Sequence, residues 1–287
     1  MEWLDALILG IVQGLTEYLP VSSSGHLQIF REILGVELPN DQSLAFDIIL
    51  HAATVCSTLV ILWPLFRRLI VSFFTFRRDA DFYYVCKLLL SAVPVAIVGF
   101  CFKDYVEDTF NNLTVVGICL LVTAGLLFFA HVSDLRAVRR LQMNAGRDGS
   151  GVVPASAGRD ITWLDAFIIG CGQAVAVLPG LSRSGTTIAT GILLGDKRDQ
   201  MAQFSFLMVI IPILGETLLN IKDMLMPDPG AAPEMQVGIV AMSVGFVAAF
   251  TVGCCACRWM IDLVKKGKLV WFSLYCVVMG LICLLWQ

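Results

Sequence analysis

Apolar residues run through this chain in long blocks separated by short polar stretches. Six blocks, near 45–66, 85–103, 113–131, 203–221, 236–258 and 269–286, are long enough to cross the ~30 Å hydrocarbon core of a bilayer as helices. Two further blocks, 4–36 and 161–196, are interrupted. Each holds a helix-compatible segment, then a polar break, then a shorter apolar piece. The breaks read Leu19-Pro20-Val21-Ser22-Ser23-Ser24-Gly25-His26 and Leu178-Pro179-Gly180-Leu181-Ser182-Arg183-Ser184-Gly185. Pro and Gly interrupt a helix, and backbone groups freed this way cannot face lipid. Both segments therefore read as re-entrant helix–loop–helix hairpins. The pattern predicts an all-α integral membrane protein with six transmembrane helices and two re-entrant hairpins.

The interrupted blocks are copies of each other. Trp3-Leu4-Asp5-Ala6-Leu7-Ile8-Leu9-Gly10 matches Trp163-Leu164-Asp165-Ala166-Phe167-Ile168-Ile169-Gly170 at an offset of 160. Gln13 falls on Gln173, and Ser24-Gly25 on Ser184-Gly185. Three apolar spans follow each copy, so an odd number of crossings inverts the second copy relative to the first, an inverted-topology repeat. This divides the chain into repeat one (1–141), a polar, Gly-rich cytoplasmic linker (142–160) and repeat two (161–287).

Composition agrees with a membrane protein. Apolar residues make up 57% of the chain and charged residues 15%, against roughly 45–50% and 25% in soluble domains. The net charge of −3 carries no basic bias toward nucleic acid. Cysteines are scattered through apolar stretches, and the C-x-x-C of Cys254 and Cys257 has no second pair beside it, so they read as small buried hydrophobes. The acidic start, Met1-Glu2-Trp3-Leu4-Asp5, is unlike a cleavable signal and is expected to stay attached.

Loop charges fix an orientation. Basic residues concentrate in 67–84 (Arg67, Arg68, Arg77, Arg78), 132–162 (Arg136, Arg139, Arg140, Arg147, Arg159) and 258–268 (Arg258, Lys265, Lys266, Lys268). The alternate segments, 104–112 and 223–235, have none. The positive-inside rule places the basic set in the cytoplasm, and only six crossings plus two hairpins keep the alternation intact. Both termini then face the exterior, hairpin one dips from outside, and hairpin two from inside. Their tips can meet at mid-depth.

Ionisable groups inside a membrane are costly and mark function. The first hairpin holds Gln13, Thr16, Glu17, Ser22, Ser23, Ser24 and His26; Gln13 and Glu17, at i and i+4, share a helix face. The second holds Ser182, Arg183, Ser184, Gly185, Thr186 and Thr187. A Ser/Arg/Gly cluster at a helix start suits an anion, through backbone N–H groups and a guanidinium clamp. A serine nucleophile, a histidine moving protons and an arginine stabilising charge together suggest phosphoryl chemistry. Glu17, helped by Gln13, could hold a divalent cation against phosphate oxygens.

Structural readings stand beside these. Serines in membrane helices often bond backbone carbonyls, Arg183 and Glu17 could form a plain ion pair, and His26 could be a satisfied polar residue at a loop edge. His131 reads as interfacial. Asp47 and His51 either line the cavity or sit at the exterior interface, and Glu216 is a candidate second cavity carboxylate.

Two motifs carry a resemblance to the bacitracin-resistance family of undecaprenyl-diphosphatases over essentially the whole chain. They are Gln13-Gly14-Leu15-Thr16-Glu17-Tyr18-Leu19-Pro20-Val21-Ser22-Ser23-Ser24-Gly25-His26 and Pro179-Gly180-Leu181-Ser182-Arg183-Ser184-Gly185-Thr186-Thr187. The resemblance implies hydrolysis of the C55 lipid carrier diphosphate to monophosphate and inorganic phosphate, in support of peptidoglycan synthesis. It assigns Glu17 and Gln13 to the acidic, metal-binding positions, Ser23 to the nucleophile, His26 to proton transfer and Arg183 to the diphosphate clamp. Ser22, Ser182, Ser184, Gly185 and Thr187 are the expected substrate-binding set. Position 13, often Glu in the family, is Gln here, so Mg²⁺ or Ca²⁺ would rest on Glu17, substrate phosphate and water. The acid-phosphatase-like lipid phosphatases do not fit, because the position that needs their second histidine is Ala189.

The expected protein is thus a multi-pass enzyme of the bacterial plasma (inner) membrane acting on a polyprenyl diphosphate lipid, with a homodimer compatible with the sequence. A different class, a secondary transporter or flippase, shares the broken-helix inverted repeat. It would need Arg183 but not the serine–histidine pair.

Overall fold

The computed structural model describes residues 1–36, 38, 40–101, 113–147, 158–215 and 237–285. These form helices throughout, and no strand occurs among the described residues. The two interrupted blocks are hairpins of matching build. In the first, α1 (Trp3–Thr16) is followed by α2 (Ser23–Leu34). Three helices come next: α3 (Asn40–Ile61), α4 (Trp63–Phe74) and α5 (Ala80–Cys101). The long α6 runs Leu113–Arg147. The second hairpin is α7 (Trp163–Val175) and α8 (Arg183–Leu194), and α9 (Arg198–Met208), α10 (Ile239–Lys265) and α11 (Val270–Leu285) follow.

Local sequence accounts for the hairpin geometry. At the start of α1 the Asp5 carboxylate accepts the Glu2 N–H at 3.0 Å, and at the start of α7 Asp165 accepts that of Thr162 at 2.9 Å. Each inner helix is capped by a serine: Ser22 Oγ accepts the Gly25 N–H at 3.3 Å, and Ser182 Oγ that of Gly185 at 3.1 Å. Such caps are worth about 1 kcal/mol each. Both inner helices end on a left-handed glycine, Gly35 and Gly195. At the second tip Gly180 has φ 85°, and a Cβ there would lie 2.5 Å from the Val116 carbonyl, so only glycine fits.

Packing crosses between the halves. Helix α1 lies on α10, while α7 lies on α5. These contacts rely on small residues, as membrane helices do when backbones approach closely. A Cβ on Gly14 would sit 2.6 Å from the Ala249 carbonyl, and one on Gly170 would sit 2.4 Å from that of Ser91. Helices α2 and α8 both touch α6, which also packs against α11. Tyr18, Leu120, Ile169, Ile188 and Phe204 are buried at the centre, whereas Ile97, Phe129, Ile239 and Trp271 point outward. That apolar exterior, with α5, α6 and α10 each long and apolar enough to span, defines a multi-pass membrane protein.

Several expected spans differ in detail. The block 45–66 is not one straight helix: at Leu62 the chain turns by 87° into α4. Pro64 lies in the first turn of α4, where its missing N–H costs nothing and its ring forbids continuation of α3. The helix α4 carries Arg67 and Arg68, so part of the basic loop is itself helical. In the block 203–221 α9 breaks at Val209 and helix resumes over 210–215, beyond which the residues, Glu216 included, lie outside those described. The helix α11 has 16 residues, short for a straight crossing. The α6 helix extends to Arg147, into the stretch read as linker; 148–157 lie outside the described residues, as do the segments 104–112 and 223–235.

Charged residues gather at the base of the second hairpin. Arg159 pairs with Asp165 at 2.8 Å, Lys197 with Asp160 at 2.8 Å and Arg198 with Asp134 at 2.6 Å. Asp196, in the connection after α8, is 3% exposed. Burial, and secondly the neighbouring Asp165 charge, push its carboxyl up to about 7, while Arg159 pulls the other way.

Candidate active site

The sequence places Glu17 where α1 gives out, its N–H still bonded to the Gln13 carbonyl at 3.0 Å. Its carboxylate gathers the first hairpin. Ser23 Oγ donates to Glu17 Oε2 at 2.7 Å, and Gln13 Nε2 donates to the same oxygen at 2.9 Å. Ser23 is the first residue of α2, held there by the Ser22 cap. Ser22 has φ 69° and ψ 103°, a strained backbone for a residue with a side chain, and such strain concentrates at working sites.

The two histidines take different places. His26 Nδ1 donates to the Ser22 carbonyl at 2.7 Å, because a carbonyl can only accept; Nε2 therefore accepts from Tyr275 Oη at 2.7 Å. His26 also stacks on the Tyr275 ring, at 5.6 Å between centroids. Both nitrogens are committed, and the group that receives the Ser23 hydroxyl is Glu17, not His26. His51 Nδ1 donates to the Asp47 carbonyl at 2.9 Å, which leaves Nε2 facing Glu17 Oε2 at 3.6 Å. His51 thus lines the site, while Asp47 turns away to pair with Arg31.

The second hairpin closes on the first. Ser184 Oγ donates to the Leu19 carbonyl at 3.2 Å, and Cys276 Sγ to that of Pro20 at 3.4 Å. Arg183 opens α8 and makes no carboxylate ion pair among the described residues. It lines a small cavity of about 20 Å³ with Glu17, Gln173, Ser184, Thr187 and Ser205, space for about one water. Thr187 and Ser205 hydroxyls bond at 2.6 Å across the wall. Among the expected binding residues, Ser184 and Thr187 reach this cavity, whereas Ser22, Ser182 and the Gly185 N–H are engaged in the helix caps.

The sequence gives no sign of Ser205 or Tyr275 as site residues, since neither belongs to the two polar motifs. Gln173 stands out there only as a repeat marker. No group of three or more His, Cys, Asp or Glu side chains fit to hold a metal occurs among the described residues. The oxygen donors present are Glu17 and the Gln13 Oε1, which is buried without a hydrogen-bond partner. This is a partial donor set that suits a hard divalent cation only with ligands from substrate and water.

Fold and site together define a membrane protein that holds a serine–carboxylate pair against an arginine. The whole-chain comparison narrows that class. A family model described as bacitracin resistance protein BacA matches residues 6–282. An undecaprenyl-diphosphatase of Bacteroides thetaiotaomicron is 48% identical over 100% of both chains. One of Parabacteroides distasonis is 49% identical over 98% of this chain and 97% of its own. Undecaprenyl-diphosphatase 2 of Bacillus thuringiensis is 34% identical, again over 98% and 97%. The chain belongs to the bacitracin resistance protein BacA family.

Proposed function

We propose that this protein hydrolyses undecaprenyl diphosphate to undecaprenyl phosphate and inorganic phosphate, recycling the lipid carrier for peptidoglycan synthesis and so conferring bacitracin resistance. The observation that carries this reading is the Ser23 hydroxyl donating to Glu17 at 2.7 Å beside the cavity that Arg183 lines. Arg183 holds the diphosphate, and Glu17 takes the Ser23 proton as Oγ attacks the terminal phosphorus. The bond to the bridging oxygen breaks, and undecaprenyl phosphate leaves with the proton that Glu17 took from Ser23, which frees the carboxylate for the second step. Water then attacks the phosphoserine, giving one proton to Glu17, and the serine leaves with a proton returned. His26, locked between Ser22 and Tyr275, positions the start of α2. Glu17 and Gln13 Oε1 would hold a Mg²⁺ or Ca²⁺ ion, which when bound offsets charge on the phosphate oxygens.

The same reading places the protein in the bacterial inner membrane with six crossings and two re-entrant hairpins. Matched caps at an offset of 160 and the reciprocal α1–α10 and α7–α5 packing support an inverted repeat. Basic loops then lie in the cytoplasm and both termini outside. The test is phosphate release from a polyprenyl diphosphate by purified protein, with and without EDTA. Release that chelator abolishes is expected; no release from monodisperse protein would return the weight to a carrier without chemistry.

A further inference from the structure

Gln173 sits in α7 two residues before the helix ends, wholly buried, and neither its amide nitrogen nor its amide oxygen has a hydrogen-bond partner. It lines the cavity that Glu17, Arg183, Ser184 and Thr187 also line. Its counterpart in the first repeat, Gln13, is equally buried but has its nitrogen bonded to Glu17 four residues on. In the second repeat that fourth residue is Val177, which offers nothing. The sequence thus keeps the amide and removes its partner.

A buried amide without partners is costly, and replacing it by an apolar side chain of the same shape is neutral or better for folding. An amide in this position needs something in the cavity to bond. The space admits about one water, which a phosphate oxygen can displace while keeping the hydrogen bond. An amide N–H₂ donates to an anionic oxygen without adding charge, and its carbonyl accepts from a hydroxyl or a protonated phosphate oxygen. The neighbouring Arg183 supplies the charge, and Gln173 supplies a neutral, oriented donor next to it.

We propose that Gln173 is a head-group ligand, its amide nitrogen donating to a phosphate oxygen of the diphosphate that Arg183 clamps. This inference rests on the diphosphatase reading. It assigns the second repeat two substrate-binding side chains on different helices, one charged and one neutral.

The experiment compares wild type, Gln173→Met and Gln173→Asn in two assays. One is phosphate release against polyprenyl diphosphate concentration; the other is thermal unfolding in detergent with and without inorganic pyrophosphate. Gln173→Met, similar in length and apolar, is expected to melt no lower than wild type. Its KM should rise about tenfold to a hundredfold, as for a lost hydrogen bond to a charged group, with kcat within a few-fold. The stabilisation by pyrophosphate should shrink in parallel. Gln173→Asn, which retains the amide but withdraws it by one methylene, should raise KM similarly and covers the case in which the Met variant does not fold. Wild-type KM and wild-type pyrophosphate stabilisation in a folded variant would overturn the proposal and leave the amide structural. If the wild type released no phosphate, the diphosphatase reading would fail, yet the pyrophosphate assay would still report whether Gln173 binds the anion.

Discussion

The two hairpin tips share a backbone and differ in chemistry at equivalent positions. The first residue of the inner helix is Ser23 in one and Arg183 in the other. Glu17 is answered by Val177, and His26 by Thr186. The serine before each inner helix caps it in both, yet Ser22 has φ 69° and Ser182 has φ −69°. The first tip gathers Ser23 and Gln13 around the Glu17 carboxylate and holds Ser22 in a strained backbone conformation. The other has no carboxylate at the equivalent position and presents a cation and an amide. Two serine-capped helix starts therefore meet across the tips, and the proposed function puts the nucleophile on the first and the clamp on the second.

That division predicts effects of different kind and size. The largest belong to the first tip: Ser23→Ala and Glu17→Gln should each cut kcat by about 10²–10⁴-fold with little change in KM, read from initial rates of phosphate release. At the second tip Arg183→Lys should mainly raise KM, by roughly 10–100-fold, because an ammonium cannot reproduce a bidentate guanidinium. Equal kcat losses at both tips would erase the distinction.

Packing should respond symmetrically where chemistry does not. Gly14→Val and Gly170→Val each drive a side chain into a facing backbone carbonyl. Each should destabilise by about 1–3 kcal/mol or abolish folding, seen as a lower Tm in detergent. A smaller effect is expected at the His26 support. Tyr275→Phe removes one hydrogen bond, worth about 1 kcal/mol, and should cost only a few-fold in rate.

The smallest effect distinguishes the outer ends of the hairpins. Asp196 at the second has Val36 as its counterpart in the first. Its folded carboxyl value of about 7 stands above the ordinary 3.8, so the folded protein holds this proton more tightly than the unfolded chain. The contribution is full below the ordinary value and is lost as pH rises through about 7. Wild-type Tm should therefore fall by roughly 2–4 °C per kcal/mol lost between about pH 4 and 7. Asp196→Asn, neutral throughout, should flatten that part of the profile.

Much of this architecture is legible in the amino-acid sequence. Pro20, Pro179 and the polar runs beside them mark the breaks, and the Trp-x-Asp match at an offset of 160 marks the likeness of the two hairpins, because such residues are out of place in lipid. Glu17, Ser23 and Arg183 stand out because their motifs are long and their residue types expensive. The features that sequence does not reveal depend on contacts between distant segments. The commitment of His26 to Tyr275 spans 249 positions, and no local pattern encodes it. The same holds for His51 turning toward Glu17 while Asp47 turns to Arg31. The bend at Leu62 is hidden because the apolar run continues through it; Pro64 is the available signal. Gln173 is visible as a repeat partner, but its lack of a hydrogen-bond partner shows only in the packed site.

The most direct test of the split between the tips is pyrophosphate-induced stabilisation measured on Ser23→Ala and Arg183→Ala side by side. Ser23→Ala should bind as wild type and release phosphate at least about 10²-fold more slowly, whereas Arg183→Ala should lose the stabilisation. Wild-type stabilisation in Arg183→Ala, or its loss in Ser23→Ala, would contradict the assignment of binding to one hairpin and reaction to the other.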